Sequence, residues 1–202
     1  MTKFLMFTRL WTPLLLLAPM LLVALTATSA EGQETSLLPK MPPEVRAWFR
    51  NPDGSCVQCS IGMCGVWQNV PAATTLLWDT EEYGSKVRGG SYPSRVENYC
   101  DHRRIAAYNI TGSNTWDWMK WAAKTGRMAA IGAGRNHFQT LVWYSPDEHI
   151  WYVCNNNSPT RIDKYSEAGF RQLHLASGQW VVILKTPAPP AIPDFTNQWW
   201  LQ

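Results

Sequence analysis

His137-Phe138-Gln139-Thr140-Leu141-Val142-Trp143-Tyr144, then Ser145-Pro146-Asp147-Glu148, then Ile150-Trp151-Tyr152-Val153-Cys154 reads as two β-forming runs around a turn. Aromatic and β-branched residues dominate both runs, and the proline–acid tetrad between them punctuates the chain, so the stretch predicts a hairpin. A turn centred on Pro146 is symmetric about residues 137 and 155. Side chains alternate faces along a strand, so this register puts His137 and Asn155 on one face. A shift of one residue selects Asn156 instead, and a shift of two selects Asn157.

Downstream of the hairpin, Asp163 to Leu173 predicts a helix and Gln179 to Leu184 a last strand. Upstream, Met128 to Ile131 predicts a strand that runs into a glycine turn at 132–134. Thr115 to Thr125 predicts a helix with Ser113-Asn114 at its cap and Gly126 at its stop. Ile105 to Ile110 predicts a strand and Ser91 to Asp101 a helix. Further back, Asn51-Pro52-Asp53-Gly54 predicts a turn. Ser55 then fits an N-cap, with Gln58 three residues on completing a capping box. Apolar and small residues at 56, 59, 60, 63, 64 and 67 mark one helical face, which puts Cys56 at the first helical position. Helices come first and antiparallel strands follow, so the predicted class is α+β, an N-terminal helical part packed on a small antiparallel sheet.

The ends have a different character. Lys3 and Arg9 precede an apolar run broken by Pro13 and Pro19, and Thr28-Ser29-Ala30 follows as a small-residue cleavage site. Residues 1–30 therefore read as a signal peptide, which predicts a secreted or periplasmic protein with no stable membrane insertion once it is removed. Residues 31–50 read as a leader segment, with an extended Pro39-Lys40-Met41-Pro42-Pro43 and a short helix over Glu44 to Phe49. Residues 51–185 form the predicted domain, and 186–202 a proline-rich tail ending in Trp199-Trp200 before Leu201 and Gln202.

The signal segment holds two basic residues and no acid, so its loss takes the net charge from +3 to +1. A near-neutral chain argues against nucleic acid as a partner. The 12 tryptophans fall largely in periodic segments, which favours core packing for most of them over sugar stacking. The spacing of Cys and His gives no paired motif of a structural zinc site, and no cofactor is expected. Cys56, Cys59, Cys64, Cys100 and Cys154 make an odd number. In an oxidising compartment cysteines pair into disulfides, and an odd one is left as a dimer link or a reactive thiol.

Cysteine, histidine and asparagine in chain order are the parts of a thiol triad. The thiol needs an imidazole to take its proton, and the imidazole needs a polar group to orient it. At a helix start, Cys56 would feel the positive end of the macrodipole, which favours thiolate, and its uncommitted N–H could serve an oxyanion. His137 opens a strand after a glycine turn, and Asn155 ends the partner strand.

On these residues the chain resembles the papain-like cysteine peptidases, and most closely the compact bacteriocin-leader-processing type. The resemblance spans roughly residues 51–184: a Cys opening a helix, His137-Phe138 opening a strand, a polar residue ending the next, then a helix and an apolar strand. It implies a papain-like fold, a peptide or amide substrate, and metal-free hydrolysis with Cys56 as nucleophile, His137 as base and Asn155 as orienting residue. Aligned instead on papain's Cys-x-x-Cys, Cys59 becomes the nucleophile and Cys56 a disulfide partner, with Cys100 at bridging separation. The chain departs from the family pattern about six residues before the nucleophile and at the third triad member. Arg50 (or Asp53, for Cys59) stands where an oxyanion-binding glutamine is usual, and asparagine stands where the compact type carries aspartate. The alternative function is a non-catalytic extracellular binding module of the same fold, using exposed tryptophans.

Overall fold

The computed structural model describes residues 41–51, 54–78 and 91–186, and among them are six α-helices and six strands. The expected signal peptide, the first ten residues of the leader segment, Asp53 and the tail from residue 187 lie outside the described residues. The helices are α1 (Pro43–Ala47), α2 (Cys56–Gln68), α3 (Pro71–Thr74), α4 (Pro93–His102), α5 (Thr115–Lys124) and α6 (Glu167–Ala176). The strands are β1 (Ala107–Thr111), β2 (Ala129–Gly132), β3 (Phe138–Ser145), β4 (Ile150–Cys154), β5 (Ile162–Ser166) and β6 (Trp180–Leu184). They form one sheet in the order β1-β6-β2-β3-β4-β5, with every neighbouring pair antiparallel.

The sheet carries helices on both faces, so β2 and β6 are buried at every position. On one face α2 packs against β2, β3 and β6, and its core also takes in Met41, Val45 and Phe49 from the segment around α1. On the other face α5 and α6 cover a second cluster around Trp151, Phe170 and Ile183. The fold is thus α+β, with a helical part packed on an antiparallel sheet.

All thirteen residues of α2 are buried: the helix is apolar or small apart from Gln58 and Gln68, whose side chains hydrogen-bond Ser91 and the Leu184 carbonyl. Gly65 lets α3 lie against it: a Cβ there would stand 2.4 Å from the Thr74 backbone nitrogen. Asn69 ends the helix in the left-handed conformation, φ 55°. Among the described residues no helix is long and apolar enough to cross a membrane.

Several sequence expectations need correction. Ser55 precedes α2 but makes no side-chain cap, and Gln58 donates to Ser91 Oγ at 3.1 Å, so the capping box does not form. Residues 163–166 belong to strand β5, and the helix expected from Asp163 begins at Glu167, capped by Ser166, which accepts from the Gly169 N–H. Pairing with β4 on the open edge overrides the local helical pattern there. The turn of the β3–β4 hairpin spans Ser145 to Ile150, and the register shifts again between Leu141 and Trp143. The ladder is therefore offset from the symmetric register about Pro146. No disulfide joins any of the five cysteines, Cys56 and Cys100 included.

Candidate active site

The ladder between β3 and β4 closes at Thr140 and Cys154. His137 and Asn155 lie just beyond it, freed from strict pairing, and this lets them meet despite the offset register. His137 Nε2 and Asn155 Oδ1 are 3.0 Å apart. The backbone N–H of Asn157 donates to the same Oδ1 at 3.0 Å, so that atom is the oxygen of the amide. An amide oxygen only accepts, so the imidazole must donate through Nε2. In the neutral ring Nδ1 then carries the lone pair and is the basic nitrogen.

Cys56 comes from the opposite side, at the first turn of α2. It lines a cavity of about 430 Å³ together with His137, Phe138, Asn136, Asn51, Gly54, Ser91 and Trp180. Cys56 is 6% exposed, whereas Cys59 is 0% exposed and does not line the cavity. Burial pushes the Cys56 thiol up from its ordinary value. The backbone N–H groups of Phe138, Val57 and Cys56 pull the other way without overcoming it. Cys56 therefore holds its proton more tightly than an ordinary thiol does. Burial also raises Cys100 to about 11, with help from Asp101 and Glu97, and Cys154 to about 12.

Asn156 does something other than orient the imidazole. Its side chain is 0% exposed and its Nδ2 lies 2.9 Å from Cys56 O, 2.9 Å from Phe138 O and 3.0 Å from Ser60 Oγ. The preceding loop is stitched to the same turn. Asn51 N donates to Asn156 O at 2.8 Å, Asn51 Nδ2 to Asn157 Oδ1 at 3.0 Å, and Gly54 N to Asn51 Oδ1 at 3.0 Å. Sequence reasoning missed this role of Asn51, whose only signal was its place in an Asn-Pro turn. Arg50, in the position usual for an oxyanion glutamine, is exposed and outside the cavity lining.

The other histidines stand apart. His174 is buried between Gly132 O and Thr115 Oγ1, each at 2.8 Å, and His149 meets Glu167 and Tyr144. Both have partners that the sequence did not reveal. Among the described residues no group of three or more His, Cys, Asp or Glu is placed to hold a metal ion.

No family model and no curated protein matches the chain. One similar solved structure is that of a double glycine motif protease from an AMS/PCAT transporter in complex with the leader peptide. It is 17% identical, with a TM-score of 0.45, and the alignment covers 66% of this chain and 84% of that one.

Proposed function

We propose that this chain is a secreted or periplasmic thiol hydrolase of the papain-like kind that cleaves a peptide or amide bond. In this reading Cys56 Sγ attacks the carbonyl carbon while its proton passes to His137 Nδ1. Asn155 holds the ring through Nε2, and N–H groups at the open end of α2 receive the charge on the carbonyl oxygen. Collapse of the intermediate breaks the C–N bond, and His137 returns the proton to the leaving amine. Water then resolves the acyl-enzyme by the same route.

One observation carries the reading: a buried thiol at a helix start shares a cavity with an imidazole whose far nitrogen is fixed at 3.0 Å by an amide oxygen. The raised thiol makes the base essential, because little thiolate exists without it. The test is iodoacetamide labelling of the native protein at pH 7, mapped by mass spectrometry. Cys56 is expected to label first, and His137→Ala to slow it by at least about tenfold, since general base catalysis contributes about 10²–10⁴-fold. Labelling at Cys56 that ignores His137→Ala would end this assignment.

A second reading, a non-catalytic binding module, is favoured by a different surface. Tyr108, Trp118, Trp121 and Asp117 line an open depression on the α5 side, with the Tyr108 and Trp118 rings 4.7 Å apart. Such an aromatic cluster suits a sugar or peptide. Under this reading all five cysteines label slowly in the native protein.

A further inference from the structure

We infer that Asn156 is the positioning residue that sets the thiol of Cys56 against the base His137, an inference that rests on the proposed hydrolase reading. The two groups arrive on different elements, 81 residues apart in the chain, and nothing in the hairpin alone fixes their separation. The Asn156 side chain bonds the backbone at both places. Its amide nitrogen reaches the carbonyl of Cys56 and the hydroxyl of Ser60 on α2, and the carbonyl of Phe138 next to His137 on β3. Two hydrogens serve three acceptors at 2.9–3.0 Å, so at least one bond is shared and the nitrogen is held from three directions.

The sheet explains why a side chain is needed. Beyond Thr140 and Cys154 the β3–β4 ladder stops, and the Phe138 carbonyl no longer finds a β4 backbone donor. A buried carbonyl left without a partner is costly, and the Asn156 amide supplies one. The N–H of the same residue, in the preceding peptide unit, turns toward the Cys56 thiol. Phe138 is thus gripped on its oxygen by Asn156 while its nitrogen faces the thiol. Meanwhile Asn156 Oδ1 is buried and accepts no hydrogen bond among the described residues. The donor half of the amide gives the site its reason to hold asparagine here, beside the Asn155 that orients the ring.

A double-mutant cycle tests this, using the Cys56 alkylation rate of the folded full chain as readout over pH 6 to 9. Asn156→Ala is expected to slow alkylation by about tenfold, since misplacement near 1 Å costs up to about 10²-fold. Added to His137→Ala it should slow alkylation no further, because the alignment it provides has lost its target. If the two losses multiply instead, Asn156 supports the fold and not the base, and the inference falls while the hydrolase reading stands. If His137→Ala alone changes nothing, the hydrolase reading falls and takes this inference with it. Should Asn156→Ala fail to fold, Asn156→Ser keeps one donor and runs the same cycle with the same two outcomes. A merely structural role would lower the melting temperature and leave the pH profile of the His137-dependent rate where it was.

Discussion

His137 donates through Nε2 to Asn155 Oδ1 at 3.0 Å, and Asn157 N–H fixes which amide atom that is. The amide is thus an acceptor toward the ring, and any acceptor of similar reach should serve. Asn155→Asp is expected to alkylate Cys56 at close to the parent rate, whereas Asn155→Ala should lose up to about 10²-fold through misorientation of the ring. Parent-like rates in Asn155→Ala would remove Asn155 from the assignment.

Cys56 and Cys59 are separated by burial and by access to the cavity. Native labelling should be abolished by Cys56→Ala and unchanged in Cys59→Ala. The opposite pattern, with label found on Cys59 in the native protein, would transfer the nucleophile one helical turn along α2.

Burial lowers His174 below its ordinary value, and the Gly132 carbonyl only partly offsets this. The folded ring therefore resists protonation more than the unfolded one. Stability from this group is complete above about pH 6.5 and is lost as the pH falls through the depressed folded value. Melting temperatures taken from pH 7.5 down to 4.5 should decline, and His174→Gln should flatten part of that decline.

At alkaline pH the sign reverses. Cys100 and Cys154 are raised to about 11 and about 12, so the unfolded chain loses these protons first. Their contribution is intact below an ordinary thiol value of about 8.5 and disappears as the pH climbs toward the folded values. Chemical denaturation should show stability falling from about pH 9 to 11, and Cys154→Ala should soften the fall. A flat profile over that range would contradict the burial of these thiols.

Gly65 sits where α3 crosses α2, with no room for a methyl before the Thr74 backbone. Gly65→Ala should cost about 1–3 kcal/mol from overpacking, despite alanine's better helix propensity. Urea denaturation measures it, and a stabilised variant would show that α3 can move away without penalty.

Much of this arrangement is legible in the sequence, and the gaps have physical causes. Gly54-Ser55 marks the start of α2, since a small polar residue after a turn releases the chain into a helix. The β3 and β4 runs declare themselves by composition, and Ile150–Cys154 is bounded as expected. The register does not, because a bulge near Val142 and the placement of the turn over Ser145–Ile150 depend on what the sheet packs against. His137 still meets Asn155, for both lie past the last rung where the offset has no hold. β5 was hidden because Asp163 to Ser166 carries a helix-compatible pattern that only an edge partner overrules. The buried partners of His174 and the triple grip of Asn156 are tertiary facts, since their bonds join residues 18 to 100 positions apart.

His137 and Asn155 stand 18 positions apart and close a small loop, cheap in entropy, whereas Cys56 must come from 81 residues upstream of His137. A nascent or partly unfolded chain can hold its imidazole and amide together with the thiol far away. On the hydrolase reading such a chain has no attack to make on its neighbours. Competence arrives only when α2 seats against the finished sheet, so the chain's own folding serves as its safety catch.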